Sequence, residues 1–278
     1  MAGTLYLVAT PIGNLGDVSS RALETLRTVG FVACEDTRHT RGLLTHYAIG
    51  TPTISYHDHN ARTRAPQLLD RLEAGESVAL VSDAGTPAIS DPGYRLISGA
   101  AERGIRVVPV PGPSAVVAAL SASGLATDAF LFAGFLPPKQ GARRARLADL
   151  AGERATLVFY EAPHRISETL ADMLDAFGDR EAVVARELTK LHEELARGRL
   201  SELAARFAGE VKGEVTVVVE GPGDVPAAAE PAAEELDDEL RRRLDAGEKA
   251  TEIARAVAKE RGLVKAEVYA RILELKAE

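Results

Sequence analysis

Apolar residues along this chain follow two rhythms. Short runs at residues 5–9 (LYLVA), 31–34 (FVAC), 53–56 (TISY), 78–81 (VALV) and 106–110 (RVVPV) have the length of strands, and VALV has the continuous apolar character of a buried one. Between them the spacing turns helical. A helix starting at Ser19 or Ser20 places Ala22, Leu23, Leu26 and Val29 on one face, and residues 62–74 do the same with Ala65, Leu68, Leu69 and Leu72. A helix is also expected over residues 94–102, and an Ala/Val-rich one from Ser114, behind Pro111-Gly112-Pro113. Residues 35–41 form a polar segment between two strands. Strands alternating with helices at this spacing predict a mostly parallel sheet.

The small, polar residues 121–128 read as a crossing into a second α/β pattern. Strands are expected there at 130–133, 156–160, 182–186 and 215–220, with helices at 141–150, 163–177 and 200–207. A Pro/Ala/Glu-rich stretch follows, then purely helical spacing at 236–244, 251–260 and 265–275. The expected division is therefore an α/β domain over 1–120, a second over 121–222, a linker at 223–235 and a helical module over 236–278. Three short helices with a Gly turn suit a helix-turn-helix-like module, and equally a cap packed on the body or on a dimer mate.

Composition narrows the classes. A chain of 278 residues, 46% hydrophobic, can bury a large core, and no apolar run approaches the roughly 20 residues of a membrane span. The first residues enter a strand at once, without the basic start of a signal peptide. Cys34 is the only cysteine, which excludes an internal disulfide and a cysteine-based zinc site and suits a reducing cytoplasm. The net charge of −8 argues against a nonspecific nucleic-acid coat, and 5% aromatics with no Trp argue against reading many stacked bases. A local basic face is still open: Lys139, Arg143, Arg144 and Arg146 make a cationic run in an acidic chain.

No GxGxxG, P-loop, GxSxG or HExxH motif occurs, and the six histidines have no metal-ligand spacing, so no metal is expected. The chemistry lies in polar loops at strand ends. Foremost is SDAGTPAISDPG (82–93), where a buried strand runs into small residues, two carboxylates and a Thr. Open α/β sheets bind ligands at such strand ends, and Gly85 lets a ligand approach the backbone.

ATPIGNLGD (9–17), EDTRHTRGLL (35–44), SDAGTPAISDPG (82–93) and EAPHR (161–165), in that order, resemble the tetrapyrrole-methylase superfamily of S-adenosylmethionine methyltransferases. Within it they are similar to the branch that 2′-O-methylates a cytidine of 16S ribosomal RNA. The resemblance spans residues 4–220 and implies two α/β domains flanking a cofactor cleft, a cytoplasmic homodimer, and 16S rRNA or the 30S subunit as partner. It implies cofactor contacts from Pro11, Ile12, Ser82, Asp83, Ala84, Gly85, Thr86, Ser114 and Ala115. The far wall would come from Phe159, Tyr160, Ala185, Glu220 and Gly221.

A ribose hydroxyl is a poor nucleophile and needs alignment and a base. Asp36 or Glu161 is the expected base, with Arg186 and Lys190 near the phosphate or the oxyanion. Arg38, His39, His164 and Arg165, with the Lys139–Arg146 run, are the expected RNA contacts. Two other readings stay open: a methylase acting on a corrin or porphyrin carbon, and a non-catalytic RNA-binding assembly factor.

Overall fold

A computed structural model describes residues 2–222, 233–261 and 265–275. The first half is a parallel sheet of β1 (Thr4–Val8), β2 (Phe31–Cys34), β3 (Thr53–Ser55), β4 (Val78–Leu80) and β5 (Arg106–Val110), ordered β3-β2-β4-β1-β5. It is flanked by α1 (Ser20–Thr28), α2 (Thr37–His46), α3 (Ala61–Glu73) and α4 (Tyr94–Glu102). One face packs Leu5, Phe31 and Leu80 against Leu68, Leu72 and Leu96, and the other packs Val8, Val32 and Val81 against Leu26 and Leu44. Burial on both faces is why β2 and β4 are continuous apolar runs.

β1 and β4 are neighbours, yet the chain leaves them toward opposite edges of the sheet. A crevice opens beyond their carboxyl ends at such a reversal. The polar segment after β2 is a correction to the sequence reading, because it winds into α2. Asp36 caps that helix, accepting the Arg38 N–H at 2.8 Å, and only Thr40, Leu43 and Leu44 turn inward. Three inward residues in ten are a faint periodic signal.

The second sheet is mixed. β6 (Phe130–Phe135), β7 (Thr156–Glu161), β8 (Glu181–Arg186), β9 (Glu194–Arg199) and β10 (Val215–Val219) lie in the order β6-β7-β10-β8-β9. β6 and β7 are parallel, and β10 runs antiparallel to both of its neighbours. β9, an edge strand paired antiparallel with β8, was not expected, since ELARGR has almost no apolar content to announce it. α6 (Gln140–Leu150), α7 (Ile166–Phe177) and α8 (Leu200–Arg206) cover one face through Leu147, Leu170, Met173 and Leu203. α5 (Ala115–Ser123) covers the other, setting Val116, Ala119 and Leu120 on Val158, Val183 and Val218. Because α5 follows β5 directly, its burial on the second sheet brings the β5 loop to that sheet.

Both sheets belong to one compact unit, Met1–Pro222, and Gly223–Glu278 form another. In the second, α9 (Ala233–Asp245), α10 (Ala250–Arg261) and α11 (Lys265–Leu275) share a small core of Leu240, Ile253, Val257, Val268 and Ile272. Most of the expected 223–235 linker, residues 223–232, lies outside the described residues.

Candidate active site

The loops after β1 and β4 are stitched together. The Thr10 N–H donates to the Gly85 carbonyl at 2.9 Å, and the Gly85 N–H returns the bond to Thr10 at 3.1 Å. Thr10 Oγ1 donates to the Ser82 carbonyl at 3.0 Å. Gly85 sits at φ +81°, a conformation that favours glycine. Farther along, Ala88 (φ +67°) and Ser90 (φ +60°) hold the left-handed conformation without being glycine. Such strain persists only where the surroundings enforce it, and it concentrates at ligand sites.

This stitched loop forms one wall of a cavity of about 440 Å³. Ile12, Ser114, Ala115, Ala185, Leu188 and Val215 give it a largely apolar lining, and Glu35, Asp83 and Asp91 give it carboxylates. A second cavity, of about 470 Å³, shares Ile12, Asp83, Ala84 and Glu214 with the first. Beside the shared carboxylates it carries basic side chains: Arg38, His39 and Lys190.

The carboxylates of the first cavity shape one another. Burial pushes the Asp91 carboxyl up to about 6, with repulsion from Glu35, Asp83 and Asp58 adding to it and a hydrogen bond from Ser82 working the other way. Glu35 is raised as well, first by burial and then by the charges of Asp83 and Asp58. Tyr160 is raised mainly by burial, with the Asp91 charge contributing. A carboxyl in this range exchanges its proton near neutral pH. From the sequence, Glu35 is one of the charged candidates of the loop after β2, without an assigned role, and Asp91 is only part of the 82–93 loop. Glu35 directly follows β2, and Asp91 lies at the far end of the loop that leaves β4.

Most of the expected cofactor residues meet at the first cavity: Ile12, Asp83, Ala84, Gly85, Thr86, Ser114, Ala115, Tyr160 and Ala185. Pro11 lines the second. Ser82 is buried behind the loop, its hydroxyl turned to the Ala84 and Gly85 carbonyls at 3.2 and 3.3 Å. Three expectations are corrected. Phe159 points to the other side of β7, into the core with Phe177. Glu220 and Gly221 lie at the far end of β10, where the Glu220 N–H bonds Glu181 at 2.9 Å. The antiparallel course of β10 puts its beginning at the cavity, so Glu214, Val215 and Thr216 take that place.

The expected catalytic set is redistributed. Asp36 caps α2 and pairs with Arg38, whose hydrogen bonds hold its carboxyl below the usual range, and it lines neither cavity. Glu161 does border the first cavity, but its carboxylate is saturated. Oε1 accepts Arg165 Nε and the Ala162 N–H, both at 2.7 Å, and Oε2 accepts Thr169 Oγ1 at 2.7 Å. It ties the end of β7 to α7, which also accounts for Arg165. Arg186 is paired with Glu194 in a separate surface pocket. Lys190 lies between Glu187 at 2.8 Å and Glu214 at 3.1 Å in the second cavity. Burial opposes its charge, yet those two carboxylates hold its ammonium above the usual lysine value.

The basic run divides too. Arg143 is wholly buried against Asp172, so it is not a surface cation. Arg144 is half exposed but bound to Asp172 and Asp175. Lys139, Arg146 and His164 are exposed, and Arg38 and His39 sit on the rim of the second cavity. No cluster able to hold a metal ion occurs among the described residues.

Comparison with known proteins agrees with this geometry. The family model described as tetrapyrrole (corrin/porphyrin) methylases matches residues 4–204. A protein of Synechocystis named ribosomal RNA small subunit methyltransferase I is 50% identical over 99% of this chain and 99% of its own. One of the same name from Mesorhizobium japonicum is 53% identical, over 98% of this chain and 92% of its own. The crystal structure of a cobalt-precorrin-4 methyltransferase shares the fold at a TM-score of 0.58 and 18% identity, covering 78% of this chain and 94% of its own.

Proposed function

The chain belongs to the tetrapyrrole (corrin/porphyrin) methylase family, and on that footing we propose that it is a methyltransferase acting on small-subunit ribosomal RNA. Its methyl donor is S-adenosylmethionine and its target the 2′-oxygen of a cytidine. The observation that carries this reading is the pair of cavities with a common wall, one largely apolar and lined by carboxylates, the other bringing Arg38, His39 and Lys190 beside the shared Asp83 and Glu214. The half-identical relatives, matched along nearly their whole lengths, favour RNA over a tetrapyrrole ring.

The first cavity fits the donor chemically. Ile12, Ala115, Leu188 and Val215 offer apolar surface to an adenosine, and the backbone N–H groups of Ala84 and Thr86, on either side of the Thr10-bonded Gly85, offer directed hydrogen bonds. Asp83, Asp91 and Glu35 compensate a desolvated cation, which is otherwise costly. When bound, S-adenosylmethionine would supply an electrophilic methyl, with its sulfur as the leaving group. Asp91 takes the hydroxyl proton, because its carboxyl is tuned close to working pH. Arg38, His39 and Lys190 meet the RNA backbone, where cations position a phosphate without reading sequence. The separate helical unit, Gly223–Glu278, contributes to substrate engagement or to a homodimer, which sedimentation of the full chain tests.

The deciding experiment incubates the full chain with methyl-labelled S-adenosylmethionine and small ribosomal subunits that lack the modification. The rRNA is then digested to nucleosides. Label in 2′-O-methylcytidine is the expected result. Binding of subunits without transfer would point to an assembly factor, and transfer only to a uroporphyrinogen substrate would point to a tetrapyrrole methylase.

A further inference from the structure

β6 contains a bulge that changes which face its last residue presents. Pairing with β7 runs Phe130–Thr156, Leu131–Leu157 and Phe132–Val158, then skips Ala133 and resumes at Gly134–Phe159 and Phe135–Tyr160. Side chains alternate along a strand, and paired residues share a face. Phe132 lies on the face of Val158 and Tyr160. With Ala133 paired and the register unbroken, Phe135 would stand opposite Glu161 and fall on the opposite face, that of the helix-covered core. The bulge turns it back, and bulges next to ligand sites re-aim side chains in this way.

The result is an aromatic pair at the cavity. Phe135 lines it with its ring 5.4 Å from that of Tyr160, and Phe132 meets Tyr160 edge-on at 4.9 Å. Tyr160 and Phe132 are half-buried, but Phe135 remains 56% exposed. The bulge needs a glycine: Gly134 sits at φ +69°, and a Cβ there would stand 3.3 Å from Ser90 Oγ. β6 therefore presses against the strained turn that carries Asp91. Aromatics are scarce in this chain, at 5% of residues, and a large exposed one held beside an acid by a bulge is not accounted for by core packing.

We propose that Phe135 is the stacking face for the nucleobase of the acceptor nucleotide, which leaves its own helix to lie on the ring with its ribose toward Asp91. This deepens the reading of the chain as an RNA methyltransferase and rests on it. A nucleobase is the fitting occupant because every base has a π face, and an exposed ring at a cavity mouth stacks one without needing its sequence. Exposure favours the acceptor, which belongs to a large RNA and approaches from solvent, where Phe135 is 56% exposed. The apolar lining of Ile12, Ala115 and Val215 suits the adenosine.

The test compares the full chain with Phe135→Ala, Phe135→Leu and Phe135→Trp. Affinity for S-adenosylmethionine is measured by calorimetry, and kcat and KM with unmodified small ribosomal subunits. Phe135→Ala is expected to raise KM for subunits by about 5- to 140-fold, the range for removal of one base–aromatic stack, with donor affinity changed less than about twofold. Phe135→Trp should restore KM and Phe135→Leu should not. An unchanged KM in Phe135→Ala, or a loss of donor affinity in its place, overturns the assignment of Phe135 alone. Absence of any transfer by the unsubstituted chain overturns the function on which it rests.

Discussion

Arg143 lies wholly inside the cover of the second sheet and donates its Nε to Asp172 at 2.7 Å. Asp172 also takes Arg144 Nε at 2.7 Å and Gln140 at 3.3 Å, so a single carboxylate fastens α6 to α7. Removing Asp172 would leave a guanidinium buried with only Glu168 beside it, 3.2 Å away. Breaking a buried pair in this manner costs about 3–5 kcal/mol, so Asp172→Ala should show that loss in urea unfolding of the full chain. The pair also responds to acid. Burial alone would raise the Asp172 carboxyl, but hydrogen bonds from Arg144, Arg143 and Gln140 hold it below the usual range. Its contribution is complete above the ordinary carboxylate pKa of about 4 and is lost as pH falls below that.

Asp91 has the opposite sign. Its carboxyl is raised to about 6 by burial and neighbouring charge, so the folded chain holds a proton that the unfolded chain releases near pH 4. Stability is therefore lost as pH rises from about 4 through 6. Asp91→Asn should melt higher than the unsubstituted protein at about pH 7.5, with the gap closing toward about pH 4. The same variant should lose about 100-fold or more in kcat, the contribution of a general base. A melting curve unaffected by the substitution would remove the basis of the assignment.

Gly85 is held at φ +81° while it exchanges both backbone hydrogen bonds with Thr10. A Cβ there has room, with Ile12 Cγ2 at 3.5 Å, so the strain of an added side chain is conformational. Gly85→Ala should cost about 1 kcal/mol or more in stability, and Gly85→Val more. Donor affinity should fall in both, as measured by calorimetry on folded protein.

Lys139 and Arg146 are the exposed members of the basic run. Reversing both to Glu should weaken subunit binding and flatten its salt dependence, by about 0.7–0.9 in log–log slope for each phosphate that is no longer neutralised. Arg143→Glu should unfold the region instead, because Arg143 is buried against Asp172. The contrast separates surface charge from a structural ion pair that the sequence alone placed in one group.

A chain ending at Pro222 should fold and bind S-adenosylmethionine with near-normal affinity. Every residue of both cavities lies before that point, and the helical unit has its own core. Transfer to ribosomal subunits should fall in the shortened chain. Loss of donor affinity in a folded 1–222 chain would contradict the division into two units.

Local pattern was enough to determine most of the alternation of strands and helices, though not α2 or β9, together with the helical tail and the polar loops at strand ends. These are written in spacing and in glycine, and Leu5, Val78 or Leu240 finds its place from neighbours a few residues away. The ordered motifs were also enough to name the family. Only the tertiary structure decided which polar residues work at the cavity and which hold the fold together. Asp36 and Glu161 carry the same charge as Glu35 and Asp91 and lie, like Glu35, at or just past a strand end. What separates them is a helix N-terminus that one caps, and Arg165 and Thr169, which saturate the other. The direction of β10 exchanged Glu220 for Glu214 at the site, because hydrogen-bond partners far along the chain set a strand's course. One extra residue in β6 moved Phe135 from the core to the cavity. Such outcomes depend on the meeting of distant segments, which a one-dimensional pattern does not encode.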